Sequence, residues 1–240
     1  MAPGNSRLYA IGDIHGRSDL VKQIIGLIQD DNRSRDEAAA TILFVGDYVD
    51  RGPCSKEVVD YLTGELPEGF SPLFLKGNHE EMMLTALKQP LSALNWLHNG
   101  GDATLFSYGV TMDVVQRALW GGPEGLEEAA AALRALMPER HLRFYEELKP
   151  CYRWGGYFFT HAGVRPGVAL DRQSEEDLLW IREEFLSWPD DFGAIVVHGH
   201  TPMRTPQNLP NRIGIDTYAV HTGKLTAVGL QDTRRWFLST

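Results

Sequence analysis

Residues Ser6-Arg7-Leu8-Tyr9-Ala10-Ile11-Gly12-Asp13-Ile14-His15-Gly16 decide how the chain folds. The apolar run from Ser6 to Ile11 stops abruptly at glycine, as a buried strand does where the chain turns. Thr41 to Val45 before Gly46, and Pro72 to Leu75 before Lys76-Gly77, repeat the arrangement, and all three read as buried strands. Between the first two, Leu20, Ile24, Leu27 and Ile28 recur at helical spacing; between the second two, Val58, Val59, Tyr61 and Leu62 follow Ser55, an N-cap candidate. Asp13 to Asp47 spans 34 residues and Asp47 to Asn78 spans 31, each close to a right-handed strand–helix–strand unit of roughly 30 residues. The reading is an N-terminal βαβαβ half whose parallel strands end on one rim.

Residues of about 81–150 are mostly helical in pattern, clearest from Ala129 to Leu136, and read as a helical cap inserted into a single domain of residues 1–240. Short runs then return at Tyr157–Thr160, Ala194–Val197, Ile213–Ile215, Leu225–Leu230 and Trp236–Leu238. With 43% hydrophobic residues the chain can bury a core without disulfides. The 23 Lys and Arg against 32 Asp and Glu give a net charge of −9, which offers no general field for nucleic acid or an anionic membrane. Cys54 and Cys151 lack ligand spacing, so a reducing, cytoplasmic setting is expected. About six residues precede the first apolar run, too few for a signal peptide, and no stretch approaches the ~20 apolar residues of a membrane span.

Strand ends carry glycine followed by polar ligands of one kind. Gly12-Asp13-Ile14-His15, Gly46-Asp47, Gly77-Asn78-His79 and Gly199-His200 share the pattern, and His161 follows the run Tyr157–Thr160. Alone, each is compatible with an ordinary turn residue; repeated on one rim, they point to a site. Oxygen and nitrogen donors without thiolate suit Mn, Fe or Zn, and a carboxylate between two ligand sets can bridge two ions. Such a pair lowers the pKa of water and clamps a phosphoryl oxygen.

With Gly46-Asp47-Tyr48-Val49-Asp50-Arg51-Gly52 and Gly77-Asn78-His79-Glu80 added to the first motif, the chain resembles the phosphoprotein phosphatase branch of the calcineurin-like metallophosphoesterases, in its compact bacterial and phage form. Thr160-His161-Ala162-Gly163, Leu179-Trp180-Ile181-Arg182-Glu183, Gly199-His200-Thr201-Pro202 and Ile215-Asp216-Thr217 agree in order. The resemblance implies an α/β fold, a mixed β-sandwich flanked by helices. It assigns Asp13, His15 and Asp47 to one metal and Asp47, Asn78, His161 and His200 to the second, with manganese favoured over iron or zinc. Its catalytic set is His79 as proton donor, Asp50 as its partner, and Arg51 and Arg182 on the phosphate, with Asn78 beside them. Attack would come directly from metal-bound hydroxide. Trp180 is expected in the core, positioning Arg182, and Asp216 either orients a histidine ligand or ends a strand.

The family often reads Ile-Asp-Thr-Gly where this chain has Ile215-Asp216-Thr217-Tyr218, so Tyr218 is expected to reshape the rim. Strand alternation would put His198 and His200 on one face, with His198 structural. His98, His141 and His221 are expected not to be ligands, and Asn99–Thr104 either shapes access or merely links helices. The function implied is hydrolysis of phosphate monoesters, foremost as a serine/threonine phosphatase of possible dual specificity, on a phosphorylated protein or a small phosphoester. Diadenosine tetraphosphate hydrolysis is the alternative, and a non-catalytic scaffold a remote one. No nucleic acid, membrane or obligate partner is indicated.

Overall fold

The computed structural model describes residues 1–64 and 66–240. Strands β1 (Ser6–Ile11), β2 (Ala39–Phe44) and β3 (Phe70–Phe74) alternate with helices α1 (Ser18–Arg33) and α2 (Ser55–Gly64), as the opening motif implies. Six helices follow: α3 (Asn78–Lys88), α4 (Ala93–Trp96), α5 (Asp102–Ser107), α6 (Met112–Trp120), α7 (Pro123–Leu136) and α8 (Glu139–Glu146). The remainder comprises β4 (Cys151–Trp154), β5 (Tyr157–Thr160), α9 (Glu175–Trp180), α10 (Glu183–Leu186), β6 (Ile195–His198), β7 (Gln207–Asn208), β8 (Arg212–Gly214), α11 (Ala219–Thr222), β9 (Thr226–Gln231) and β10 (Arg234–Ser239).

One sheet has the order β10-β9-β1-β2-β3 and the other β4-β5-β6-β8-β7. Parallel pairing joins β1, β2 and β3 in the first and β5, β6 and β8 in the second, with antiparallel strands at the flanks. Side chains of a strand alternate between faces. Leu8 and Ala10 accordingly meet Phe159, Val197 and Ile213 between the sheets, while Tyr9 and Ile11 pack on Val21, Ile24 and Ile28 of α1. Both faces of β1 are therefore apolar, which is why it reads as a continuous run. Full burial of a side chain such as Leu8 or Phe159 contributes about 1.5–3 kcal/mol. No helix among the described residues is long and apolar enough to cross a membrane.

Four local expectations are corrected. The third strand is an edge strand with Ser71 and Pro72 exposed rather than buried, because proline has no N–H for a ladder and belongs at an edge. Leu27 faces solvent, while Val21 and Ile25 complete the buried stripe of α1. Ser55 is not an outward cap: it opens α2 buried, and its Oγ accepts the Asp50 N–H. The short strands β4 and β7 were not anticipated.

Candidate metal and phosphate site

The carboxyl ends of β1, β2, β5 and β6 and the amino end of α3 bring Asp13, Asp47, His161, His200 and Asn78 together. The turns that do this bend sharply: His15, Asp47, Asp50, Arg51 and His200 all have positive φ, between 45° and 71°. One buried carboxylate organises two of the turns. Glu80 Oε2 accepts the N–H groups of Asp47 and Gly77, both at 2.9 Å, and Oε1 those of Tyr48 at 2.8 Å and Val49 at 3.3 Å. Burial and the Asp47 charge push this carboxyl up, and the donors oppose them. Each oxygen already receives two donors, so neither has room for an amide NH2. Replacing Glu80 by Gln should therefore destabilise the protein by about 2–3 kcal/mol, seen as a lower urea midpoint at unchanged slope. An unchanged midpoint would contradict this account. The sequence signal was available, since Glu80 occupies the third helical position after Gly77, where capping carboxylates reach back.

Lone pairs converge in the centre of the site. His15 Nδ1 donates to the Val49 carbonyl at 2.9 Å and His161 Nδ1 to that of Val45 at 3.0 Å. Burial lowers the pKa of His15 to about 3 and also lowers that of His161, so each imidazole is neutral and its Nε2 carries a lone pair. These nitrogens face oxygens: His15 Nε2 lies 3.4 Å from Asp47 Oδ2, and His161 Nε2 lies 3.4 Å from Asp47 Oδ1 and 2.8 Å from Asn78 Oδ1. His200 Nδ1 is 3.0 Å from the same amide oxygen. Asp13 Oδ2 accepts the His200 N–H at 2.8 Å, whereas its buried Oδ1 has no protein partner.

Nitrogen and oxygen acceptors gathered around so few protons fit divalent cations. Two glycines admit the carboxylates, since a Cβ at Gly199 would collide with Asp13 Oδ1 and one at Gly77 with Asp47 Oδ1. Burial, then the charges of Asp216 and Asp47, push Asp13 up.

Proximity alone groups His15 with Asp47 and His79, and Asp13 with Asp47 and His161, the two groups sharing Asp47. This differs from the expected sets: His79 takes the place of Asp13 beside His15, Asp13 joins His161 instead, and His200 lies outside both groups. The hydrogen bonds give His79 another occupation: its Nδ1 donates to Asp50 Oδ2 at 2.7 Å, and its Nε2 lies 3.0 Å from Arg51 Nη2. Arg51 Nη1 is also 3.0 Å from His15 Nε2, so the guanidinium spans both rings. An open cleft of about 440 Å3 is lined by Arg51, Arg182, His200, Asn99, Gly100 and Tyr218, among others. The ten residues expected in the site thus meet there, eight in the buried cluster and the exposed Arg51 and Arg182 at its mouth.

Among the neighbouring residues, Trp180 departs from expectation. Trp180 is 38% exposed: its Nε1 donates to Glu81 and its ring edge meets His200, so it belongs to the rim rather than the core. Of the two readings of Asp216 the strand-end one holds: it accepts the Tyr218 N–H at 2.8 Å just after β8 and interacts with Asp13. His98 reaches the cleft, and the His221 ring packs against Tyr218 at a tilt of 36°.

His198 and His200 do not share surroundings, because β6 ends at His198 and the positive φ of His200 breaks the alternation. The His198 ring packs against Phe185, its Nδ1 bonds the Gly199 carbonyl, and its buried Nε2 has no partner. Burial lowers its pKa to about 4. The unfolded chain therefore gains this proton near pH 6.5 while the folded chain cannot, and the associated stability is lost as pH falls. Relative to His198→Asn, metal-free wild-type protein should lose about 2 kcal/mol between pH 7 and pH 5 in urea titrations. A pH-independent difference would exclude a buried neutral His198.

Sequence comparison agrees with the geometry. The family model "Calcineurin-like phosphoesterase" matches residues 6–229. Serine/threonine-protein phosphatase 1 of Salmonella typhimurium is 29% identical over 233 residues, 93% of this chain and 92% of that protein. The asymmetrical bis(5'-nucleosyl)-tetraphosphatase PrpE of Bacillus subtilis is 26% identical over 236 residues, covering 90% and 87%. The crystal structure of a candidate diadenosine tetraphosphatase superposes with a TM-score of 0.63 at 20% identity, covering 100% of this chain and 96% of that one, which shows a shared fold. With the family model spanning nearly all of its strands, this chain belongs to the calcineurin-like phosphoesterases and is a phosphoester hydrolase.

Proposed function

We propose that the protein hydrolyses phosphate monoesters, foremost phosphoserine and phosphothreonine in proteins, with phosphotyrosine also within reach of the chemistry. The observation that carries this reading is the His79–Asp50 pair beside Arg51, in a cleft that also holds Arg182. Two divalent ions, with manganese favoured, would be held by Asp13, His15 and Asp47 and by Asp47, Asn78, His161 and His200, supplying Lewis acidity toward phosphoryl oxygens and a lowered water pKa. Arg51 and Arg182 bind the phosphoryl group through their forked N–H groups. As Arg51 turns those groups to the substrate, His79 Nε2 is released to carry the proton that the departing oxygen needs. Burial would lower the pKa of His79, but the Asp47 and Asp50 charges raise it, which favours that proton. A serine or threonine alkoxide leaves only with a proton, whereas the phosphate released from an anhydride needs little help. The general acid thus favours the monoester.

Residues 1–240 act as one domain in this reading, with α3 to α8 capping the cleft. The unpaired Cys54 and Cys151 accord with a cytoplasmic setting. The dinucleoside tetraphosphate reading draws on the name of PrpE and on Tyr218, backed by the His221 ring at 4.1 Å, which offers an aromatic face at the cleft wall. Comparing kcat/KM of the Mn2+-reconstituted enzyme on a phosphoserine peptide and on diadenosine tetraphosphate decides between them. Preference for the dinucleotide would overturn the protein phosphatase assignment.

A further inference from the structure

Asp50 is fully buried, and three side chains hydrogen-bond to its carboxylate. Oδ2 accepts from His79 Nδ1 at 2.7 Å and from Trp96 Nε1 at 2.8 Å; Oδ1 accepts from Thr104 Oγ1 at 2.6 Å. The Asp50 N–H donates to Thr104 Oγ1 at 2.9 Å, and the next residue's N–H, that of Arg51, donates to the Gly100 carbonyl at 3.0 Å. Trp96, Gly100 and Thr104 lie on one short stretch: the end of α4, the irregular turn Leu97–Gly101, and the first turns of α5. Gly100 has φ 101°, and a Cβ there would stand 2.8 Å from Arg51 Cγ and 2.9 Å from its backbone nitrogen. Asp50 and Arg51 are both left-handed, a conformation that surrounding contacts must enforce.

We infer that Trp96, Gly100 and Thr104 are positioning residues: they clasp Asp50 and Arg51, and through Asp50 they fix the His79 imidazole in the orientation that serves the departing oxygen. The inference rests on His79 as proton donor. A turn that merely anchored the helices to the sheet would not need two side-chain donors on the carboxylate that orients His79, nor a backbone acceptor for the arginine at the cleft. Burial raises the Asp50 carboxyl, and the His79, Thr104 and Trp96 hydrogen bonds oppose that, keeping it able to accept.

The test uses Mn2+-loaded enzyme and two aryl esters. Phenyl phosphate releases a phenoxide that needs the proton, and 2,4-dinitrophenyl phosphate releases one that does not. Trp96→Phe, which keeps a ring in the core, and Thr104→Val should each lower kcat on phenyl phosphate about 10-fold with little change in KM, and on the dinitrophenyl ester by less than about 2-fold. Thr104→Ser should restore the rate. In metal-free protein, the His79 Nδ1–H proton should give a far-downfield NMR signal that Trp96→Phe shifts or broadens. Equal losses on both esters, failure of serine to rescue, or an unmoved signal would overturn the proposal. His79→Asn, run alongside, must show the same selectivity between esters. If it does not, the proton-donor reading fails, and the NMR signal still decides whether the clasp holds the ring.

Discussion

Replacing His79 by Asn lowers kcat on a phosphoserine peptide by about 10²–10⁴-fold, the range for losing a positioned acid. Asparagine can still offer an N–H toward Asp50, so the 2.7 Å contact has a substitute while the transferable proton is lost. The His79 ring meets that of His15 edge-to-face at 4.7 Å between centroids, and asparagine leaves a smaller polar group in its place, so the variant should fold. The effect should belong to kcat, because in the proposed mechanism Arg51 and Arg182 still bind the phosphoryl group, and it should shrink as the leaving group becomes more acidic. Steady-state kinetics with thermal unfolding as the control reads it. Wild-type rates on the peptide, or an equal loss for every leaving group, would remove His79 from proton transfer.

Asp47→Asn has the second large expected effect. Asp47 faces His15 through one oxygen and His161 through the other, both at 3.4 Å, and belongs to both candidate groups. In the proposed site the change removes the one carboxylate that both cations would share, so retention of Mn2+ after gel filtration, measured by elemental analysis, should fall toward one ion or none, and turnover should fall at least about 10³-fold. Stability supplies a readout free of turnover. Mn2+ at 100 times its dissociation constant should stabilise the wild-type fold by about 2.7 kcal/mol, and most of that gain should vanish in the variant. A variant that kept two ions and the full gain would show that Asp47 does not join the two sets.

What could be read from the sequence depended on whether the signal was local. The parallel core and the polar cluster at its strand ends were legible because a buried strand is continuously apolar and because Asp13, Asp47 and Asn78 each follow a glycine at a strand end. The strand β4 escaped because Arg153 interrupts it, and β7 because it is two residues long. Trp180 was misplaced because aromatic bulk predicts burial in one direction only: an indole with a donor can sit at a rim when Glu81 is there to accept. Glu80 was visible as part of a motif, yet its four backbone donors come from two separate turns. Trp96 and Thr104 lie 46 and 54 residues from Asp50, and no periodicity reports a hydrogen bond across that interval.

Left-handed geometry at His15, Asp47, Asp50, Arg51 and His200 sets the chain against itself under selection. Each such residue costs about 1–3 kcal/mol in backbone energy that glycine would avoid. A laboratory evolution campaign scored only on heat tolerance would therefore enrich glycine first at Arg51, whose side chain is exposed and whose removal opens no core cavity. Given the phosphate-binding role proposed for Arg51, the winners would be sturdier proteins with a weakened hold on substrate, so a durable catalyst can be bred from this scaffold only if turnover is scored in every round.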